Sequence, residues 1–138
     1  MKKVLVTFLL VFLVGCNSEL AFTEVKTSSV SKNVQEFIEL VSLDNGVHLH
    51  FDGKKAMYVF LNGRNVVQGN KATYFSNFHV DHTEDTIHIL FDQSETRNFS
   101  DPTLTYELLY KIQLDKEYET IKAIANGEEI PFTMLSGN

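Results

Sequence analysis

Val47-His48-Leu49-His50-Phe51-Asp52-Gly53, followed by Met57-Tyr58-Val59-Phe60-Leu61-Asn62-Gly63, is the stretch that decides the fold. Val47, Leu49 and Phe51 alternate with His48, His50 and Asp52, and a period of two marks a strand with one buried face. Asp52-Gly53 turns the chain, because Asp-Gly favours the tight turn of a β-hairpin. Met57, Val59 and Leu61 then form a second strand, closed by Asn62-Gly63. The alternation alone accounts for polar residues at 48 and 50, which it sends to the solvent face.

The same pattern continues downstream. A loop of Arg64, Asn65, Gln68, Gly69, Asn70 and Lys71 holds Val66 and Val67 inside it. Ala72 to Val80 reads as a third strand, aromatic on both faces through Tyr74 and Phe78 on one side and Phe75 on the other. Thr86 to Phe91 is a fourth, with Ile87, Ile89 and Phe91 on its core face. Asp92 to Thr103 is polar and contains Pro102, hence a long loop, after which Leu104 to Leu114 resumes the alternation. Ile121 to Ala125, Asn126-Gly127 and Glu128 to Phe132 read as a terminal hairpin. Asn-Gly is the pair a type I′ turn favours, and Pro131 confines the last strand to an edge or its end.

Before the strands, Val34, Phe37, Ile38 and Val41 follow an i, i+3, i+4, i+7 spacing, which predicts a short amphipathic helix. Asn33 and Glu36 suit a capping box at its start, and Asp44-Asn45-Gly46 stops it. Six or seven short strands with frequent turns predict a mainly β fold, a small antiparallel β-sandwich or barrel with one short N-terminal helix.

The N-terminus has a different character. Lys2 and Lys3 precede an apolar run from Val4 to Val14, interrupted only by Thr7. A positive start, an apolar middle and a small residue before the cut describe a secretory signal peptide. As a helix the run would rise only ~16 Å, about half the hydrocarbon thickness, too short to span a bilayer. Its ending, Leu13-Val14-Gly15-Cys16, resembles the lipobox of bacterial lipoproteins. That resemblance implies cleavage before Cys16 and a covalent diacylglycerol on its sulfur. The expected organisation is a signal peptide at 1–15, a lipidated Cys and tether at 16–32, and a single β-rich domain at 33–138. Composition favours a Ser/Thr-rich tether over a short edge strand around Val25 and Val30.

Charge and cysteine content narrow the functions. The chain carries 12 Lys and Arg against 18 Asp and Glu, a net −6; losing Lys2 and Lys3 with the signal leaves ten against 18, or −8. Such a domain is repelled by nucleic acid and by anionic head groups, so attachment falls to the lipid. Two acyl chains suffice where one is marginal. Cys16 is the only cysteine, and once acylated it leaves no thiol for a disulfide or a thiolate metal site.

Histidines form the most suggestive cluster. His48 and His50 leave one face of a strand, followed by Asp52, while His79 and His82 end the third strand beside Asp81 and His88 lies on the fourth. Imidazoles with a carboxylate suit Zn or Cu. For catalysis, the chain lacks a Gly-x-Ser-x-Gly elbow, a His-Glu-x-x-His motif and a P-loop. The acidic clusters Asp81, Glu84 and Asp85 in one loop and Glu117 and Glu119 in another are the material for glycoside chemistry on cell wall, although acidic turns are usually just solvated. Surplus aromatics offer a binding patch instead: Tyr74 and Phe75 near Asn65 and Gln68 would give a polar-rimmed aromatic surface.

From Tyr58 to Phe132 the chain is similar to the small secreted domain at the C-terminus of the protease-complex-subunit family. The likeness lies in the strand ending Asn62-Gly63, the Gly-containing loop before Tyr74-Phe75, and the hairpin Asn126-Gly127-Glu128-Glu129-Ile130-Pro131-Phe132. Gln68-Gly69-Asn70 stands where that family has Thr-Gly-Gly-Tyr. The resemblance implies a non-catalytic, protein-binding role. The expectation is therefore a lipid-anchored, outward-facing module of the cell membrane, or of the outer membrane where the cell has one. It would bind an envelope or secreted protein and no nucleic acid; the alternative is a divalent-metal-binding protein.

Overall fold

β3 (Ala56–Asn62) is the centre of the molecule, a strand buried on both faces in a computed structural model that describes residues 19–67 and 69–137. It pairs antiparallel with β2 (Gly46–Asp52) on one side and β6 (Glu107–Gln113) on the other. β1 (Ala21–Glu24) and β9 (Met134–Gly137) complete a five-stranded sheet in the order β1-β6-β3-β2-β9. A second sheet holds β4 (Ala72–Thr83), β5 (Thr86–Thr96), β7 (Thr120–Ala125) and β8 (Glu128–Ile130) in the order β4-β5-β7-β8. With α1 (Lys32–Val41), the fold is a small, mainly β sandwich carrying one short helix.

The period-two reading sets the core. Val47 opposes Leu61, Leu49 opposes Val59 and Phe51 opposes Met57. This face meets Phe75, Ile87, Ile89 and Phe91 of the second sheet in one buried cluster. Each buried Leu, Ile, Val or Phe is worth about 1.5–3 kcal/mol, so this layer supplies most of the stability.

The opposite face of the first sheet is where expectation and structure part. His48 and His50 do not face open solvent; α1 covers that face. Val34, Phe37, Ile38 and Val41 are buried as their spacing predicts, and they pack on Tyr58, Phe60 and Leu109. A helix of ten residues is marginal in isolation, so this packing holds it in place. Ser31, not Asn33, is the N-cap, and its side chain makes no capping hydrogen bond.

Within the stretch expected to be a tether, Ala21–Glu24 pairs with β6 as an edge strand, and Val25 and Val30 pack against the α1 layer. A short edge strand is thus present, at Ala21–Glu24 and not around Val25 and Val30, with Phe22 and the preceding Leu20 packed against the core. The hairpin at Asn126-Gly127 forms as expected, with both residues at positive φ and Ala125 opposite Glu128. A further strand, β9, follows it. Because β6 and β9 return to the first sheet, each sheet gains one parallel pairing, β5 with β7 and β2 with β9. The signal peptide and Cys16 lie outside the described residues, among which no helix is long and apolar enough to cross a membrane.

Candidate functional site

The C-terminus of α1 is tied to the sheet by buried polar side chains. A helix leaves its last carbonyls without partners; here Ser42 and Asp44 N–H meet those of Glu39 and Val41, and side chains of the next elements meet the carbonyls of the turn that follows. Asn62, only 1 % exposed, places Nδ2 3.1 Å from the carbonyl oxygens of Ser42 and Asp44 and 3.4 Å from that of Val41. Its Oδ1 accepts the Arg64 backbone N–H at 3.1 Å. His48, fully buried, donates Nε2–H to the Asp44 carbonyl at 2.8 Å. Asn65 donates Nδ2–H to the Ser42 carbonyl at 2.9 Å, and its backbone N–H reaches Asn45 Oδ1 at 3.0 Å. Asn45 returns a bond to the Asn65 carbonyl at 2.7 Å.

This knot fixes three segments around one groove. The end of α1 brings Ser42 and Leu43, the segment after β3 brings Arg64, Asn65 and Val66, and the loop before β6 brings Phe99; together with Glu107 they line about 640 Å³. The loop is held by its own bonds. Thr103 donates its N–H and hydroxyl to Asp101 Oδ1 at 2.9 and 2.7 Å, which holds the Asp101 carboxyl below its ordinary pKa. Tyr106 donates its hydroxyl to the Asn98 carbonyl at 3.1 Å, and its ring packs 5.1 Å from Phe99. Arg64 and Glu107 pair at 3.0 Å on the groove wall, an exposed bond worth about 0–1 kcal/mol. Exposed apolar side chains sit among the polar walls of this groove: Leu43 is 82 % exposed and Phe99 45 %, with Val67 at 72 % beside Val66.

Of the residues expected to bind, Asn65 belongs to this groove. Phe75 does not; it is buried in the sandwich core, edge-on to Phe91 at 5.9 Å. Tyr74 is half-buried and lines a separate depression with Phe78 and Tyr110, whose rings stack at 3.8 Å. Gln68 lies outside the described residues.

The histidines expected to hold metal are dispersed. His48 is spent on the Asp44 carbonyl under α1. His50 shares its face, with Nδ1 2.8 Å from Ser136 Oγ and the ring stacked on Phe37 at 4.9 Å. His79 and His82 belong to the other sheet, against Phe22 at 5.3 Å and Tyr118 at 5.7 Å. Among the described residues, no three His, Cys, Asp or Glu are placed to hold a metal ion. Three of the acidic candidates are paired: Asp81 with His88 at 3.0 Å, Asp85 with Lys116 at 3.2 Å and Glu117 with Lys54 at 3.9 Å. Burial and the Asp115 carboxylate, 2.7 Å from its hydroxyl, push Tyr118 up to about 12.

No family model, curated protein or solved structure matches the chain. The groove residues that sequence reasoning missed are Ser42, Leu43, Arg64, Val66 and Glu107. A usable signal was present in two of them. Leu43 falls beyond the apolar spacing of α1, and Val66 interrupts a polar loop, so neither had a core to enter.

Proposed function

We propose that this chain is a lipid-anchored protein of the bacterial envelope that acts as a non-catalytic protein-binding module. The apolar groove at the end of α1 is its binding surface, and the diacylglycerol on Cys16 holds it, outward-facing, on the membrane. The observation that carries this reading is the clustering of Leu43, Val66 and Phe99 around one groove whose walls are tied by side-chain hydrogen bonds. A rigid apolar surface with a polar rim is what a protein partner buries. The resemblance to the protease-complex-subunit domain points the same way.

Two substitutions on that surface test the reading. Leu43→Ser is expected to shift stability by no more than about 0.5 kcal/mol, and Phe99→Ser by about 1 kcal/mol because its ring also packs on Tyr106. Binding to the envelope partner recovered with the unaltered chain is expected to weaken roughly hundredfold, since truncating an apolar side chain at an interface centre weakens binding by about 1–2 kcal/mol. Cys16→Ser is expected to move the protein from the membrane fraction into the soluble one. Undiminished binding by the double variant contradicts the surface, and membrane retention of Cys16→Ser contradicts the anchor.

A further inference from the structure

Four strands end the two sheets: β1, β9, β4 and β8. An edge strand presents unpaired N–H and C=O groups, and natural proteins guard it with charge, proline, bulges or a covering segment. Three of these edges are guarded. β8 carries Glu128 and Glu129 and is followed directly by Pro131. β4 is bonded over its first half to the Gly63 and Thr105 carbonyls and is broken by a bulge between Ser76 and His79 with Asn77 at φ 54. β1 is flanked by the second sheet, its Phe22 lying edge-on to Phe78 at 5.9 Å and to His79 at 5.3 Å.

Apart from its length of four residues, which itself limits pairing, β9 is unguarded. Met134, Leu135, Ser136 and Gly137 include no charge and no proline, and they pair with β2 in unbroken parallel register. Among the described residues no strand lies on the other side of β9. Leu135 is 60 % exposed.

Beside this edge runs a groove of about 320 Å³ between α1 and the end of β2. Phe37 and Leu40 give it an apolar floor, Leu40 being 65 % exposed. His50, bonded to Ser136 and stacked on Phe37, joins β9 to that floor. The charged lining is Glu36 and Asp52; no lysine or arginine lines the groove, and neither carboxylate is ion-paired among the described residues.

We propose that β9 accepts an extended peptide as an added strand, and that the groove beside it selects a segment with a lysine or arginine two residues from an apolar side chain. Backbone pairing along β9 supplies affinity that is indifferent to sequence, and alternate side chains supply the selection. Side chains of the added strand that lie on the Ser136 side point toward α1, as do Met134 and His50. Two such positions, separated by one residue, place an apolar group on Leu40 and Phe37 and a cation between Glu36 and Asp52. The complementary charge speeds encounter and rejects acidic segments. This surface lies apart from the Leu43 and Phe99 groove, so either can fail without the other.

The test uses the acetylated and amidated peptide Val-Thr-Lys-Thr-Val-Thr with the soluble Cys16→Ser protein. Expected are amide shifts along Leu135, Ser136 and Gly137, with slowed hydrogen exchange at the alternate β9 amides that face away from β2, and no change at Leu43 or Phe99. Glu36→Lys or Asp52→Lys is expected to weaken binding by about tenfold, as is exchanging the peptide lysine for glutamate. N-methylation of alternate peptide amides is expected to abolish binding, because a methylated nitrogen cannot join a ladder. Absence of shifts at β9, equal binding of the N-methylated or glutamate peptide, or loss of binding in Leu43→Ser with Phe99→Ser would each overturn the proposal.

Discussion

Asn62→Leu is expected to destabilise the domain by about 3–4 kcal/mol, with an unchanged denaturant slope and a lower midpoint. Leucine shares asparagine's branching and its count of side-chain heavy atoms, so packing is largely kept. The loss comes from the carbonyls of Ser42 and Asp44, deprived of the Asn62 amide 3.1 Å away, and from the Arg64 N–H, deprived of its acceptor. A buried polar group left without a partner is penalised by about 1–3 kcal/mol, and these part-buried groups fall in the lower half of that range. Partial rescue is built in, because Asn65 also reaches the Ser42 carbonyl and His48 the Asp44 carbonyl. That redundancy keeps the expected loss below the sum of three orphaned groups. A change under about 1 kcal/mol in urea unfolding would contradict the role assigned to Asn62.

Gly63→Ala is the second large effect, about 3 kcal/mol or more. Gly63 is not in the left-handed region, so the constraint is space. A Cβ there would overlap the carbonyl oxygen of Thr73 and lie 2.8 Å from its carbonyl carbon, which is backbone and cannot rotate away. The close approach exists because Gly63 is where the chain leaves β3 and meets the start of β4, donating its N–H to the Tyr106 carbonyl at 2.8 Å and accepting from Thr73 N–H at 3.3 Å. A side chain at 63 would force β4 away from β3 and shift Arg64, Asn65 and Val66 in the groove. Thermal unfolding of Gly63→Ala within the error of the unaltered chain would show that the two sheets can separate there without penalty.

Much of this fold is legible in residues 46–62, because alternation with period two reports burial directly. Val47, Leu49, Met57, Val59 and Leu61 are core residues in both readings. What alternation cannot report is whether the second face of a strand is also covered. The clue was in β3, where Tyr58 and Phe60 occupy the supposedly exposed positions. A strand apolar on both faces lies between two layers, and α1 provides the second one. Given that, His48 and His50 had to lie beneath the helix, and His48 became a hydrogen-bond donor to a helix end instead of a surface ligand.

The candidate site was less legible, for a physical reason. Leu43, Val66 and Phe99 come from three connections, and only the side-chain knot of Asn45, Asn62 and Asn65 brings them together. No periodicity relates such positions. Asn65, expected at a surface patch, does lie at the groove, but its amide is occupied in holding the wall. Composition draws Phe75 into the same patch, although the β4 alternation with Phe75 inward places it in the core.

If the apolar end of the sandwich meets an envelope protein, covalent capture from that end in living cells shows it most directly. Photo-reactive phenylalanine analogues are placed singly at Leu43, Phe99 and Lys122 of the full lipidated chain. Lys122 serves as the reference because it is paired with Glu129 on the second sheet, away from the groove. The expected result is one cross-linked species of the same mass from positions 43 and 99 and none from 122. Adducts from 122 alone, or from all three positions alike, would contradict a binding surface at the Leu43 and Phe99 groove.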